Sequence, residues 1–282
     1  MKNRKQILTA IGVLAIIVFS YLMFEHFVYV KTDNAQVDAH SILITPKIGG
    51  FITQVNVVEG QKVKKGDLLV QVDQRDYLTA LDSSKSELLS LEAKRKDAEK
   101  NFQRLKDLFS KGVVSNQQYD TASASYNEIR AKYDSAAAHV DQAKLNLEYT
   151  ELRAPSDGII ARKSVEVGQL AAAGVPLLGF VSSESRWVTA NLKETEISHV
   201  KPGQEVTIWV DAVAGKKFHG KVVSLSSATG ATFSLLPPDN ATGNFTKVVQ
   251  RVPVKISLDD VAEEDFARLQ AGLSAIVKIK IL

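Results

Sequence analysis

The chain has 282 residues, a formal charge of +3 and no cysteine. The missing cysteine excludes disulfides, thiolate metal sites, cysteine nucleophiles and a lipidated N-terminal cysteine. The near-neutral charge, with no aromatic-basic platform, argues against a nucleic-acid partner.

From Ile7 to Phe24 the chain is uncharged and strongly apolar, preceded by Lys2, Arg4 and Lys5. Such a run just reaches the length needed to cross a hydrocarbon core of roughly 30 Å. A cleaved signal peptide is the alternative, but its apolar region usually has only about 7–15 residues and ends at small ones. Here the run closes on Tyr21-Leu22-Met23-Phe24-Glu25-His26. The expectation is one uncleaved anchor over 7–25, residues 1–6 in the cytoplasm and the body outside it.

Residues 26–43 read as a linker and a first barrel strand, the strand lying around Gln36–Ile44. Next comes a motif that occurs twice. Pro46 leads to Gly50, an apolar pair, Gly60-Gln61 and Gly66; Pro155 leads to Gly158, an apolar pair, Gly168-Gln169 and Gly174. Glycines at matching places suit turns that demand positive φ. Each copy is too short to bury a core alone, so the β-rich halves at 44–74 and 152–181 should together form one platform that carries the insertion at 75–151.

In that insertion apolar residues step by alternating fours and threes. The first series is Tyr77, Leu81, Leu88, Leu91, Ala98, Phe102, Leu105 and Phe109, interrupted at Ser84 and Arg95. The second is Tyr119, Ala122, Tyr126, Ile129, Tyr133, Ala136, Val140, Ala143 and Leu147. A sustained period of 3.5 is a coiled-coil seam. Gly112 suits a helix C-cap, and Ser115 with Gln118 fits a capping box. Folded about this loop, Phe102 faces Tyr126, Leu88 faces Val140, Leu81 faces Leu147, and Arg95 falls opposite Tyr133. Two helices of about 35 residues reach roughly 50 Å. Polar faces such as Lys94-Arg95-Lys96 leave no site for a third helix, so the hairpin should stand free.

Over 182–282 the segments Trp187–Leu192, Glu205–Val210, Phe218–Leu225, Val248–Leu258 and Ala275–Leu282 read as strands of a small antiparallel barrel. Pro253 suggests an edge position for its strand. Ser226–Phe245 reads as a long loop, more often functional than idle at that length. The histidines (His26, His40, His139, His199, His219) are scattered, and no HExxH, GxSxG or phosphate-loop pattern is present. A swinging-arm carrier is excluded because its lysine-bearing turn is replaced by the hairpin. Neither a catalytic site nor a cofactor is expected.

The anchor, the split halves, the hairpin and the segment from Arg186-Trp187-Val188 to Pro202-Gly203-Gln204 together resemble the periplasmic adaptors, or membrane fusion proteins, of the HlyD and EmrA type. The stretch from Phe233 to Val254 is similar specifically to EmrA-type multidrug adaptors. The resemblance implies an α+β, elongated protein without enzymatic activity: a transmembrane helix, a split lipoyl-like sandwich, a coiled-coil hairpin and a β-barrel. It further implies a tripartite exporter containing an inner-membrane pump, a TolC-like outer-membrane channel and a self-associated adaptor, trimeric or hexameric. With the chain ending directly after the barrel, it points to a pump of the major facilitator class. An ABC-driven secretion adaptor and a non-conducting envelope tether stay open as alternatives.

Two contact sites follow. Arg104, Leu108 and Ser115 reproduce the spacing Arg-x3-Leu-x6-Ser with which such adaptors engage the channel. Arg104 and Leu108 share one helix face and should miss the seam. The apolar residues Phe233, Leu235, Leu236 and Phe245 of the long loop are expected to face the pump.

Overall fold

The computed structural model describes residues 27–229 and 249–281, together with Ser20, Glu25 and Thr232. The expected anchor therefore lies outside the described residues except at Ser20 and Glu25. Among the described residues no helix is long and apolar enough to cross a membrane. Phe233, Leu235, Leu236 and Phe245 also lie outside them. The chain forms two compact units, one of Ser41–Phe180 and one of Met1–His40 with Val181–Leu282.

In the first unit, β2 (Gly50–Val55), β4 (Leu68–Val72), β5 (Glu151–Arg153) and β7 (Leu170–Ala171) form one sheet in the order β5-β4-β2-β7. Opposing them are β3 (Lys62–Val63) and β6 (Gly158–Lys163), with β6 continuing onto β8 (Leu178–Lys193). The motif copies clasp each other reciprocally. Ile52 N–H donates to Gln169 O (2.9 Å) as Ile160 N–H does to Gln61 O (3.0 Å), and Gly60 and Gly168 return bonds to Ile160 O and Ile52 O, both 2.8 Å. Each glutamine closes its own turn, Gln61 Oε1 accepting from Val58 N–H (3.0 Å) and Gln169 Oε1 from Glu166 N–H (3.1 Å). Gly60 and Gly168 need glycine for their φ of 79° and 86°. Gly50 does not, contrary to expectation: its φ is not left-handed, and a Cβ there would lie 2.5 Å from Val72 Cγ1. Between the two sheets lies a core that includes Ile52, Leu69, Val72, Ile160 and Phe180.

This sandwich carries α1 (Arg75–Ser110) and α2 (Asn116–Glu148), an antiparallel hairpin. The seam positions are buried or half-buried apart from Phe109. Phe102 stacks on Tyr126 (5.5 Å between centroids), the Arg95 guanidinium lies 4.7 Å from the Tyr133 ring centre, and Leu81, Leu88, Val140, Ala143 and Leu147 cluster together. Arg95 Nε is buried without a hydrogen-bond partner, so this layer fixes register at some cost in stability. At the root the fully buried Thr150 is the hub. Its carbonyl accepts from Val72 N–H (2.8 Å) and its hydroxyl accepts from Gln74 Nε2 (2.9 Å). Tyr77 OH donates to Gly49 O (2.9 Å), tying α1 to the sandwich.

In the second unit β1 (Tyr29–Ile44), β12 (Ser274–Lys280), β9 (Glu205–Val210), β10 (Phe218–Leu225), β11 (Arg251–Ser257) and β8 follow one another, and β1 also pairs with β8. The six strands thus close into a barrel around a core including Val37, Val188, Ile208, Val254, Ile256 and Ile279. β1 starts at Tyr29, earlier than expected, because a register shift between Thr32 and Ala35 absorbs the polar Asp33-Asn34 step. β11 is no edge strand: it lies between β10 and β8, with Pro253 opposite Asn191. Pro253 is tolerated because its ring nitrogen and its carbonyl point to the same side. There the carbonyl accepts from Ser226 N–H (2.9 Å), beyond the last residue of β10, so no ladder bond is lost. A short helix α3 (Glu263–Arg268) was not expected. Its buried Asp265 receives two bonds from Lys216 Nζ (2.7 and 2.6 Å).

Candidate contact site at the hairpin tip

The tip is built by two caps. α1 ends with Gly112 N–H bonding Phe109 O (2.9 Å) and Val113 N–H bonding Leu108 O (3.0 Å). Gly112 takes a φ of 74°. These are the paired bonds of a Schellman motif, which glycine permits at low strain. α2 starts at Ser115, whose Oγ accepts from Gln118 N–H (3.3 Å) while Gln118 Oε1 accepts from Ser115 N–H (3.0 Å). The capping box read from the sequence is present.

Arg104 is exposed one turn before Leu108, and Ser115 is exposed while capping α2. Leu108 departs from expectation: it is half-buried, whereas the expected seam residue Phe109 is 38 % exposed. The helix is ending here, and its last turn no longer follows the seam. Phe109 instead lays its ring on Tyr119, 4.8 Å between centroids and 18° between planes. The most exposed large apolar side chain of the tip is Val113, at 66 %. A Schellman turn usually packs the apolar residue after its glycine back onto the helix end, so the exposure of Val113 could not be read from the sequence. The tip therefore offers a fixed surface of exposed cations (Arg104, Lys106, Lys111), apolar groups and hydroxyls, suited to docking. Among the described residues no group of three or more His, Asp or Glu could hold a metal ion.

At the other candidate site only the flanks are described. β10 ends at Leu225 and β11 starts at Arg251, and Arg251 lies opposite Lys193, the last residue of β8. Thr32 Oγ1 bonds Asn191 O (3.3 Å), so the loop leaves the barrel at the end where β1 begins. At the far end of the β8–β11 ladder, opposite Ser257, the Trp187 ring meets the His40 ring (4.8 Å between centroids) and Lys255 Nζ (4.1 Å from its centre). Arg186 packs over Phe266 (5.2 Å) and bonds Leu269 O (3.2 Å), and burial lowers its pKa.

Residues 40–181 match the family model described as RND MFP, barrel-sandwich hybrid domain, and residues 185–280 match the AAEA-like beta-barrel domain. The chain belongs to the membrane fusion protein family. Among its relatives this membrane fusion protein is 33 % identical to the multidrug export protein EmrA of Escherichia coli, over 94 % of the chain and 79 % of that protein. It is 32 % identical to the colistin resistance protein EmrA of Acinetobacter baumannii, over 92 % and 90 %. Its fold is similar to that of a MacA-MexA chimera containing the Pseudomonas aeruginosa MexA α-hairpin domain, with a TM-score of 0.65 and 26 % identity over 90 % of this chain and 79 % of that one.

Proposed function

We propose that this membrane fusion protein is a periplasmic adaptor of an EmrA-type multidrug exporter. The supporting observation is its likeness, along nearly the whole chain, to proteins named for multidrug export and colistin resistance. In this reading residues 7–25 anchor the protein in the inner membrane, with the N-terminus cytoplasmic and the body periplasmic. The partners are an inner-membrane pump of the major facilitator class, a TolC-like outer-membrane channel and further copies of the adaptor in a trimer or hexamer. Arg104, Leu108 and Ser115 meet the channel, and Phe233, Leu235, Leu236 and Phe245 meet the pump. The adaptor works by contact, with no cofactor and no catalytic step.

Deleting the gene and testing susceptibility to a panel of hydrophobic toxicants checks the reading. Sensitisation, complemented by the intact gene, is expected, together with co-purification of the pump. Unchanged susceptibility to every compound would leave a tether. Co-purification of an ATP-hydrolysing transporter would assign the chain to a secretion system.

A further inference from the structure

The start of β1 carries an outward stripe that the barrel core does not explain. Within the strand Val30 and Thr32, each only 8 % exposed, face inward and Tyr29 and Lys31 take the outward side, while Phe27, just before the strand, is 61 % exposed. Across the ladder Tyr29 is paired with Lys280, and Lys31 with Lys278. Like charges directly opposed in an antiparallel pair repel. Glu25 bonds Lys278 (2.6 Å), and Glu205 approaches Lys280 at 3.7 Å while both side chains stay largely in solvent. Lys278 Nζ also sits 4.1 Å from the centre of the Tyr29 ring. Lys31 faces solvent, and Glu25, which feels the charges of both Lys278 and Lys31, serves two lysines at once.

The position of this stripe follows from the chain itself. The apolar run ends at Phe24, one residue before Glu25, and Glu25 is bonded to β12 through Lys278. An extended chain covers at most about 3.3–3.6 Å per residue, so Lys278, Lys31 and Tyr29 are held close to the bilayer boundary. Aromatic rings gather at the headgroup level, and lysine stems lie along apolar surface while their ammonium groups reach phosphate.

We propose that Phe27, just before β1, with Tyr29 and Lys31 of β1 and Lys278 and Lys280 of β12, forms a surface that rests on the membrane and binds acidic phospholipid headgroups. The inference rests on reading residues 7–25 as an anchor. It goes further: the barrel is oriented on the bilayer by its own lysines, not merely tethered to it. Each lysine near an anionic surface strengthens the contact roughly fivefold.

Because the chain has no cysteine, a Thr195→Cys variant takes one fluorophore on the turn after β8, and Ala271→Cys provides a control at the opposite end. The full-length protein is placed in phosphatidylcholine nanodiscs, with or without phosphatidylglycerol, that contain a headgroup-attached quencher. The Thr195→Cys fluorophore should be quenched strongly in acidic discs and weakly in neutral ones, and the control in neither. Lys31→Gln with Lys280→Gln should lower quenching in acidic discs at least about fivefold, and Lys31→Arg with Lys280→Arg should restore it. Equal quenching in neutral and acidic discs overturns the proposal. So does unchanged quenching in the glutamine variant alongside lost pump co-purification, which would assign the face to the pump. Release of the protein from discs by alkaline carbonate overturns the anchor reading, and this proposal with it; the wash alone identifies that failure.

Discussion

Phe102 of α1 and Tyr126 of α2 lie ring on ring, their centroids 5.5 Å apart and their planes 2° from parallel. With Arg95 over Tyr133 at 4.7 Å, this stack locks one register along the hairpin. Leu88 and Val140 then meet in the cluster nearer the root. Introduced together, Leu88→Cys and Val140→Cys should form a disulfide within one chain on mild oxidation. Leu88→Cys with Ile129→Cys should not, since Ile129 is displaced along the helix by about 16 Å. Peptide mapping under non-reducing conditions reads both. Equal yields would contradict the register.

The tip separates capping from contact. Ser115→Ala should cost about 1 kcal/mol of hairpin stability through loss of the N-cap, and Ser115→Asp should retain it. If Ser115 also touches the channel, both variants lower resistance in cells, although only the first loosens α2 in hydrogen exchange. Val113 is 66 % exposed, so Val113→Ser should leave folding unchanged while weakening efflux. Leu108→Ser should reduce resistance to the level of the deletion strain, as loss of an apolar anchor from a small interface does. Intact resistance in both Leu108→Ser and Arg104→Ala would show that the tip does not dock in this way.

The parts legible in the sequence are those where geometry imposes a period. A 3.5-residue repeat admits one seam, so the Phe102–Tyr126 and Arg95–Tyr133 layers could be paired by counting from the loop. The bounds of β9 and β10 were equally plain, because glycine turns bracket alternating residues. Long-range contacts were illegible: nothing local to Thr150 says that it will bond Gln71, Gln74 and Val72. α3 was missed because it has six residues and no side-chain cap. Gly50 looked like a turn residue, when it is the space beside Val72 that requires glycine. At the tip the spacing of Arg104, Leu108 and Ser115 could be read, but not the half-burial of Leu108, which depends on how α1 terminates.

The hairpin root should respond to acid. Asp73 accepts from Arg75 Nε and from Arg75 N–H, both 3.0 Å, and so covers a free amide at the start of α1 that Gln74 does not cap. The side-chain bond from Arg75, followed by the backbone bond, lowers its pKa from 3.8 to about 2. A carboxyl depressed in the folded state contributes stability in full above its unfolded value and loses it as pH falls through the folded one. Protection of the first turn of α1 against hydrogen exchange should therefore hold at neutral pH and fade between 3.8 and about 2. In Asp73→Asn that segment should be less protected at neutral pH and insensitive over the same range. A wild-type profile that stays flat to the lower limit would show that the pair does not support the root.

Two barrel glycines should differ in what they tolerate. A Cβ on Gly220 would lie 1.9 Å from Ser257 O and 2.9 Å from its carbonyl carbon. That carbonyl cannot swing aside, because Lys221 N–H bonds Ser257 Oγ (3.1 Å) and Asp259 N–H bonds His219 O (2.9 Å), holding the two segments together. Gly220→Ala must push β10 away from the end of β11, at the severe end of overpacking, about 3 kcal/mol. Gly203 has a φ of 90° but no atom within 4 Å of where a Cβ would stand. Gly203→Ala should therefore cost only backbone strain, about 1 kcal/mol. Denaturant unfolding followed through the fluorescence of the two barrel tryptophans, Trp187 on β8 and Trp209 on β9, gives both values. The ordering is the test: Gly220→Ala as stable as Gly203→Ala would mean that β10 and β11 are not held as closely as these distances state.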